Sequence, residues 1–87
     1  MQVYSYKNLS ASGLVKTGHG VVKGIIVGSH TNGTIKLWDN TSGATTVLVN
    51  TMTLAAGERW IPLFDATFTV GLYVTIGGTA DITVVYY

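Results

Sequence analysis

The sequence predicts an all-β protein, a small antiparallel β-sandwich of about eight strands with a jelly-roll-like arrangement. Three observations predict this class. Nearly half of the 87 residues are Val, Ile, Thr, Tyr, Phe or Trp, the side chains that favour strands. Short alternating segments recur about every ten residues, with turn-forming residues between them. No stretch shows the period of about 3.6 residues that marks a helix, and alternation leaves most strands with one apolar and one mixed face, which favours two packed sheets.

The first four strands are predicted at residues 3–9, 14–17, 21–29 and 34–39. The first ends at the Ser-Ala-Ser-Gly break of residues 10–13, and the second ends before a Gly-His-Gly bend. The third is dense in Val and Ile on both faces, as expected of a central strand. Asn32 and Gly33 predict a tight hairpin between the third and fourth strands, because an Asn-Gly pair accepts the positive φ angles of that turn.

The fifth and sixth strands are predicted at residues 45–53 and 58–64. Residues 39–43 precede them as a loop, since Asp and Asn bond their own backbone and Gly supplies left-handed φ angles. Pro62 marks an edge or a bulge in the sixth strand, because proline donates no backbone hydrogen bond. Residues 68–70 then lead into a terminal hairpin, whose turn is predicted at residues 77–80.

The two predicted strands of the terminal hairpin have two different faces. One face is apolar and is predicted to build the core: Leu72, Val74, Ile76, Ile82, Val84 and Tyr86. The opposite face carries Tyr73, Val85 and Tyr87 among threonines, which is too apolar for an ordinary solvent-facing surface. We therefore expect this second face to contact a neighbouring chain.

The size of the chain limits how it can be stabilised. It is predicted to fold as a single domain over residues 1–87, near the size at which one core is only marginally sufficient. It has no cysteine and few His, Asp and Glu residues, so neither disulfides nor a structural metal is expected to stabilise it. Efficient packing or homo-oligomerisation is therefore expected to supply the missing stability.

Charged residues make up 10% of the chain, against a usual figure of roughly 25%. The formal net charge is +1 and the cationic side chains are scattered, so no basic stripe predicts direct binding of nucleic acid. The first residues lack the cationic segment and apolar block of a signal peptide, and no apolar run reaches the ~20 residues of a membrane helix. We expect a soluble protein, made in a cytoplasm, that binds neither nucleic acid nor membrane.

The residue types that catalysis requires are scarce. Only four carboxylates occur, each beside a turn signal where an acidic side chain commonly caps backbone groups. Ser29, His30 and Asp39 supply the types of a catalytic triad, but Ser29 and His30 are neighbours in a strand and point to opposite faces. His19 and His30 lack nearby carboxylates or thiols and make a poor metal site. We therefore expect no enzymatic activity and no cofactor.

The positive signals are aromatic. Trp38, Trp60 and Phe64 are predicted to face outward if their aliphatic neighbours face the core. Aromatic residues with little charge nearby are typical of interface anchors. The predicted interface residues are Trp38, Trp60, Phe64, Tyr73, Val85 and Tyr87. Two alternatives remain open. In the first, edge strands and loops fold over these rings, or the two faces of the strands are exchanged. In the second, the exposed rings form a platform that binds sugars.

Three segments resemble a known group of proteins. They are residues 8–12 (NLSAS), residues 33–43 (GTIKLWDNTSG) and residues 68–81 (FTVGLYVTIGGTAD). The most telling part is the pattern GLYV.IGGTAD.TV.Y, which begins within the third segment and runs to the last residues of the chain. With these segments the chain resembles small β proteins from the virions of tailed bacteriophages, namely capsid decoration or cement proteins, with related segments in phage fibres. The resemblance covers nearly the whole chain and contains no catalytic residue.

That resemblance implies a β-sandwich that binds the outer surface of a capsid lattice and fastens neighbouring major capsid subunits. It also implies a homotrimer at three-fold or quasi-three-fold positions, located on the virion after synthesis in the host cytoplasm. Low charge and apolar strand faces fit such a protein, because assembly adds stability by mass action. The alternative is a carbohydrate-binding or host-attachment module of a phage fibre.

Overall fold

Residues 3–87 are described by a computed structural model, and they form an antiparallel all-β fold with no helix. Met1 and Gln2 lie outside the described residues. The strands of the described chain are β1 (Ser5–Leu9), β2 (Gly13–Thr17), β3 (Gly20–Trp38), β4 (Val47–Thr53), β5 (Trp60–Phe68) and β6 (Gly71–Tyr86). The predicted all-β class is confirmed. The strand count differs from the prediction because β3 and β6 each join two segments that the sequence predicts as separate strands.

β3 and β6 form a long central ribbon. They pair antiparallel over almost their whole lengths, from Val22 opposite Tyr86 to Trp38 opposite Tyr73. Each half of this ribbon receives one more strand on either side. β1 and β5 flank the half that contains the C-terminal end of β6, and β2 and β4 flank the other half. We call these the β1/β5 half and the β2/β4 half.

The predicted Asn-Gly hairpin and the predicted terminal hairpin are both wrong, and the residues that predict them bend the ribbon instead. The pairing of the two long strands shifts register between Thr31 and Thr34 of β3. At this bend Asn32 has a φ of 50°, and Gly78 on the facing strand has a φ of 67°. Positive φ angles suit a hairpin turn, but they also suit a bulge that bends a continuing strand. Each strand segment therefore pairs with the other long strand instead of with its sequence neighbour.

Side chains from both halves build one hydrophobic core. β6 contributes the face that alternation predicts: Leu72, Val74, Ile82 and Val84 are buried, and Ile76 and Tyr86 pack against the same cluster. β3 contributes Val22, Ile25, Val27, Ile35 and Leu37. Phe68, at the end of β5, is the largest fully buried side chain among residues 3–87. The predicted core face of β6 is therefore confirmed.

Candidate interaction surface

The outer face of the β1/β5 half carries a cluster of apolar side chains. Residues that pair directly across neighbouring antiparallel strands lie on the same face of a sheet. Two such rows cross this half on the side away from the core. One row consists of Tyr6, Val85, Gly24 and Pro62, and the next consists of Asn8, Thr83, Ile26 and Trp60. Strand pairing thus brings residues that are distant in sequence onto one surface.

Trp60 lies directly over Gly24. A Cβ atom built on Gly24 would be 2.6 Å from Trp60 Cζ2 and 2.7 Å from the Ile61 carbonyl oxygen, so only glycine leaves room for the indole ring. Val85, the neighbour of Gly24 in its row, is 5% exposed, whereas Trp60 is 43% exposed. The indole therefore packs against the sheet on one side and is open to solvent on the other.

Tyr6 and Ile26 extend the open surface beside Trp60. Tyr6 is 64% exposed and Ile26 is 42% exposed. We call Tyr6, Ile26, Trp60 and Pro62 the aromatic face. Because a large aromatic side chain offers ~150–250 Å², the exposed parts of Tyr6, Ile26 and Trp60 together present apolar surface on the order of 300 Å², a patch size that on monomers is often functional.

β5 contains a bulge that begins directly after Pro62 of the aromatic face. Its pairing to β3 skips from Pro62 to Ala66, so three residues of β5 face one residue of β3. Within this bulge Phe64 has a φ of 54° and Asp65 a φ of 58°, a region that bulky side chains rarely adopt. Phe64 is 85% exposed. The bulge that Pro62 predicts and the outward direction predicted for Phe64 are both present.

Trp38 and Tyr73 lie on the β2/β4 half, away from the aromatic face. The Trp38 Nε1–H donates a hydrogen bond to Thr75 Oγ1 at 2.9 Å, and Lys36 Nζ lies 4.3 Å from the centroid of the Trp38 ring. The loop at Gly43 packs on both rings, since a Cβ there would be 3.4 Å from Tyr73 Cε1 and 3.6 Å from Trp38 Nε1. The chain's own loop therefore covers part of these two predicted interface residues.

The remaining predicted interface residues have different surroundings. Val85 is the buried floor beneath the aromatic face, and Tyr87 packs against Tyr4 with 5.1 Å between ring centroids. Tyr6 belongs to the aromatic face although it is not among the predicted interface residues. The signal that could have found it is the alternation of Tyr4 and Tyr6 in the first strand, which places both rings on one side.

Ser29, His30 and Asp39 do not come together as a triad. His30 accepts a hydrogen bond from the Gly33 N–H through Nδ1 at 3.4 Å, so Nε2 carries the proton and donates to the Ala55 carbonyl oxygen at 2.8 Å. The Asp39 carboxylate binds backbone groups instead. In residues 3–87 no three His, Cys, Asp or Glu side chains cluster as a metal site would require.

An open cleft of about 660 Å³ lies beside the bend of the ribbon, lined by residues that include His30, Glu58 and Arg59. Arg59 donates through Nη1 to the Gly28 carbonyl oxygen at 3.0 Å. His30 and Arg59 thus both bind backbone carbonyl groups and tie the connection between β4 and β5 to β3. These contacts give both side chains a structural role.

Asp39 holds the turn between β5 and β6. Its carboxylate accepts hydrogen bonds from the Thr69, Val70 and Gly71 backbone N–H groups, the shortest at 2.8 Å from Val70, and from the Thr69 hydroxyl. Burial by itself would raise the pKa of Asp39, but these donors favour the charged form and together lower its pKa below the ordinary value. The capping role predicted for the acidic residues is thus present at Asp39.

Asp39→Asn is expected to lower the free energy of unfolding by about 1–2 kcal/mol at neutral pH, because charge-assisted hydrogen bonds are replaced by weaker amide contacts. A carboxylate with a lowered folded-state pKa stabilises the fold above its unfolded-state pKa, and that stability is lost as the pH falls through the folded-state pKa. The difference between wild type and variant should therefore shrink below about pH 4. Urea unfolding at neutral and acidic pH measures this difference in the free energy of unfolding, with Glu58→Gln as the control. A difference that persists at acidic pH would contradict the role of the Asp39 charge.

No protein-family model, curated protein or solved structure matches this chain. Across residues 3–87 there is also no helix of the length and hydrophobicity that crossing a membrane requires.

Proposed function

We propose that this chain is a structural protein without enzymatic activity that decorates the outer surface of a bacteriophage capsid and fastens neighbouring major capsid subunits. The observation that carries the proposal is the aromatic face of the β1/β5 half. Large apolar side chains that a monomer leaves open to water are typical of surfaces that bind another protein. The resemblance to capsid decoration proteins suggests the major capsid protein as that partner.

We infer that the bent ribbon forms a small β-sandwich of the jelly-roll type. The bend divides β3 and β6 into two segments each, which together with the other strands gives four strand segments in each half. Both halves supply side chains to one core. The shortest dimension of the fold is 18 Å, which fits two sheets packed about 10 Å apart with further side chains outside them. The aromatic face then covers the outside of one layer.

A surface with few charges suits this role. Contacts through apolar rings are little affected by salt, whereas exposed ion pairs are screened. Aromatic anchors contribute most of the binding energy of many interfaces when they fill pockets of the partner. Assembly also adds stability by mass action, which benefits a chain whose core is limited by its 87 residues. We therefore propose a homo-oligomer seated on the capsid lattice of the virion, and the resemblance to capsid decoration proteins favours a trimer.

A second candidate function is a carbohydrate-binding or host-attachment module of a phage fibre. The observation that favours it is the geometry of Trp60, whose ring rests on the bare backbone at Gly24 and leaves one side open. An indole held in this way can stack on the apolar face of a sugar ring. A glycan array separates the two candidates. Specific binding that Trp60→Ala abolishes supports the fibre module, whereas an array without binding together with retention on purified heads supports the capsid protein.

Tyr6→Ser is expected to weaken binding to heads assembled from the major capsid protein of the same genome by about tenfold, because an exposed aromatic anchor is lost. The midpoint of thermal unfolding should change little, since most of the Tyr6 side chain contacts only solvent. Trp60→Ala should weaken head binding at least as much, with some loss of stability because Trp60 covers Gly24. Co-sedimentation with purified heads measures the affinity.

Val70→Ser is the matched control for these variants. Val70 is 53% exposed in the turn between β5 and β6, outside the aromatic face. Its substitution removes a similar type of side chain and should leave head binding unchanged. Equal weakening by Tyr6→Ser and Val70→Ser would argue against the aromatic face as the capsid contact, and a wild-type chain that does not co-sediment with heads would remove the proposed function.

A further inference from the structure

Phe64 is unfavourable in the isolated chain for two reasons. Its ring is the most exposed of the large hydrophobic side chains in the described part of the chain, and both Phe64 and Asp65 adopt positive φ angles. A bulge on an edge strand protects that edge from pairing with another chain, but a charged residue or proline achieves this without exposing a ring. Edge protection therefore does not explain why the exposed residue of the bulge is a phenylalanine. We call Phe64 and Asp65 the knob.

A cleft that suits a phenyl ring lies near the end of the same half. It has a volume of about 300 Å³ and is lined by Lys16, His19, Gly20, Val21 and Tyr87. An apolar cavity of ~150 Å³ can hold a benzene molecule, so this open cleft has room for one phenyl ring. The Lys16 Nζ lies 3.0 Å from the position that a Cβ would have on Gly20, which places the ammonium group within the cleft.

We propose that the knob of one copy of this chain inserts into the cleft of a second copy. Phe64 would fill the cleft, and Asp65, which follows it directly, would face Lys16. A second copy is the occupant that the observations favour, because the cleft has room for the Phe64 ring and because Asp65 and Lys16 carry opposite charges. The inference rests on the proposed structural role and names the contact through which the copies associate.

The arrangement of the two surfaces limits the assemblies that can form. The knob and the cleft are different parts of the molecule, so each copy can give its knob to one neighbour and receive the knob of another. Two copies that each insert a knob into the other's cleft form a dimer. When one constant rotation relates each copy to the next, and that rotation closes, the contacts form a ring. The contact uses neither Tyr6 nor Ile26, which stay available for the capsid.

Charge reversal tests the pairing of Asp65 with Lys16. Asp65→Lys and Lys16→Glu are each expected to weaken self-association about tenfold or more, because like charges then meet. The double variant restores opposite charges and is expected to associate within about threefold of the wild type. Sedimentation equilibrium of the full chain at up to about 100 µM measures these constants. Lys7→Glu, a charge reversal on β1, is the control and should leave self-association unchanged.

Phe64→Ser tests the ring itself. The variant is expected to be monomeric in the same measurement. At concentrations low enough for the wild type to be monomeric too, the two should share one thermal midpoint, because the ring has few contacts within its own chain. Val70→Ser, which also removes an exposed apolar side chain, should associate like the wild type. A monomeric wild type at the highest concentration, or a double charge variant that associates no better than either single variant, would overturn the proposal.

Head binding of the same variants separates this inference from the proposed function. A wild-type chain that binds heads but stays monomeric alone would overturn the knob contact and leave the capsid role in place. A chain that associates through the knob without binding heads would support the contact and remove the capsid role. Phe64→Ser keeps Tyr6 and Trp60, so a single copy of this variant should bind a head as the wild type does. Any decrease in the affinity of the variant for heads should therefore come only from the lost multivalency of the assembled copies.

Discussion

Replacing Phe68 with alanine is expected to lower the free energy of unfolding by about 3–5 kcal/mol. Phe68 is the last residue of β5, and its side chain is fully buried in the cluster that joins both halves of the ribbon. Alanine would leave a cavity that neighbouring side chains fill only in part. Because the free energy of unfolding of a small domain is about 5–15 kcal/mol in total, this loss would remove a large share of the stability.

Urea unfolding followed by far-ultraviolet circular dichroism measures the effect of Phe68→Ala. Phe68→Leu is the matched control, since leucine keeps much of the apolar volume and should lose clearly less stability. Val70→Ala, two residues further along the chain and exposed, should change the free energy of unfolding by less than about 0.5 kcal/mol. A Phe68→Ala variant as stable as Val70→Ala would contradict the position of Phe68 in a shared core.

The inner face of β6 could be predicted from the sequence because alternation is a local property. Leu72 and Val74 on one side of the bend, and Ile82 and Val84 on the other, are buried as their spacing predicts. This prediction did not require knowledge of the partner strand. It therefore holds even though the chain continues through the glycines at residues 77–78 instead of turning back.

The pairing of the strands could not be predicted because it is decided by distant partners. Asn32 and Gly78 have positive φ angles, and such angles occur both in a tight turn and in a bulge that bends a ribbon. The ribbon is the fold in which Leu37 opposes Val74 and Ile25 opposes Val84, so that β3 and β6 bury their apolar faces together. No local signal in either segment specifies that partner.

Only part of the candidate site could be predicted, because local alternation decides the exposure of some of its residues and distant segments decide the exposure of the others. Trp60 and Phe64 are exposed because Ile61 and Leu63 between them pack against the core, as alternation predicts. Trp38 follows a similar pattern, but the loop at Gly43 folds back over it, and strand alternation carries no information on the path of a loop. Tyr6 joins the aromatic face only because β1 pairs with β6 at the far end of the chain.

Gly78→Ala is expected to lower the free energy of unfolding by about 2–4 kcal/mol, through two separate effects. The first is the φ of 67°, which a residue with a Cβ adopts at a cost. The second is crowding at the bend, because the added Cβ would lie 3.0 Å from the Asn32 carbonyl carbon and 3.1 Å from the Thr31 carbonyl oxygen, with the Asn32 carbonyl oxygen closer still. These are backbone atoms, so β3 and β6 must separate to make room.

Gly57→Ala separates the two effects and makes urea unfolding of the pair decisive. Gly57 has a φ of 79°, and a Cβ there would meet no atom within 4 Å, so this variant carries the backbone strain without the crowding. It is expected to lower the free energy of unfolding by about 1 kcal/mol. The excess loss in Gly78→Ala therefore measures how closely the two long strands approach at the bend. Equal losses in the two variants would mean that the strands do not meet there in solution, and that each could turn back on itself as its local sequence predicts.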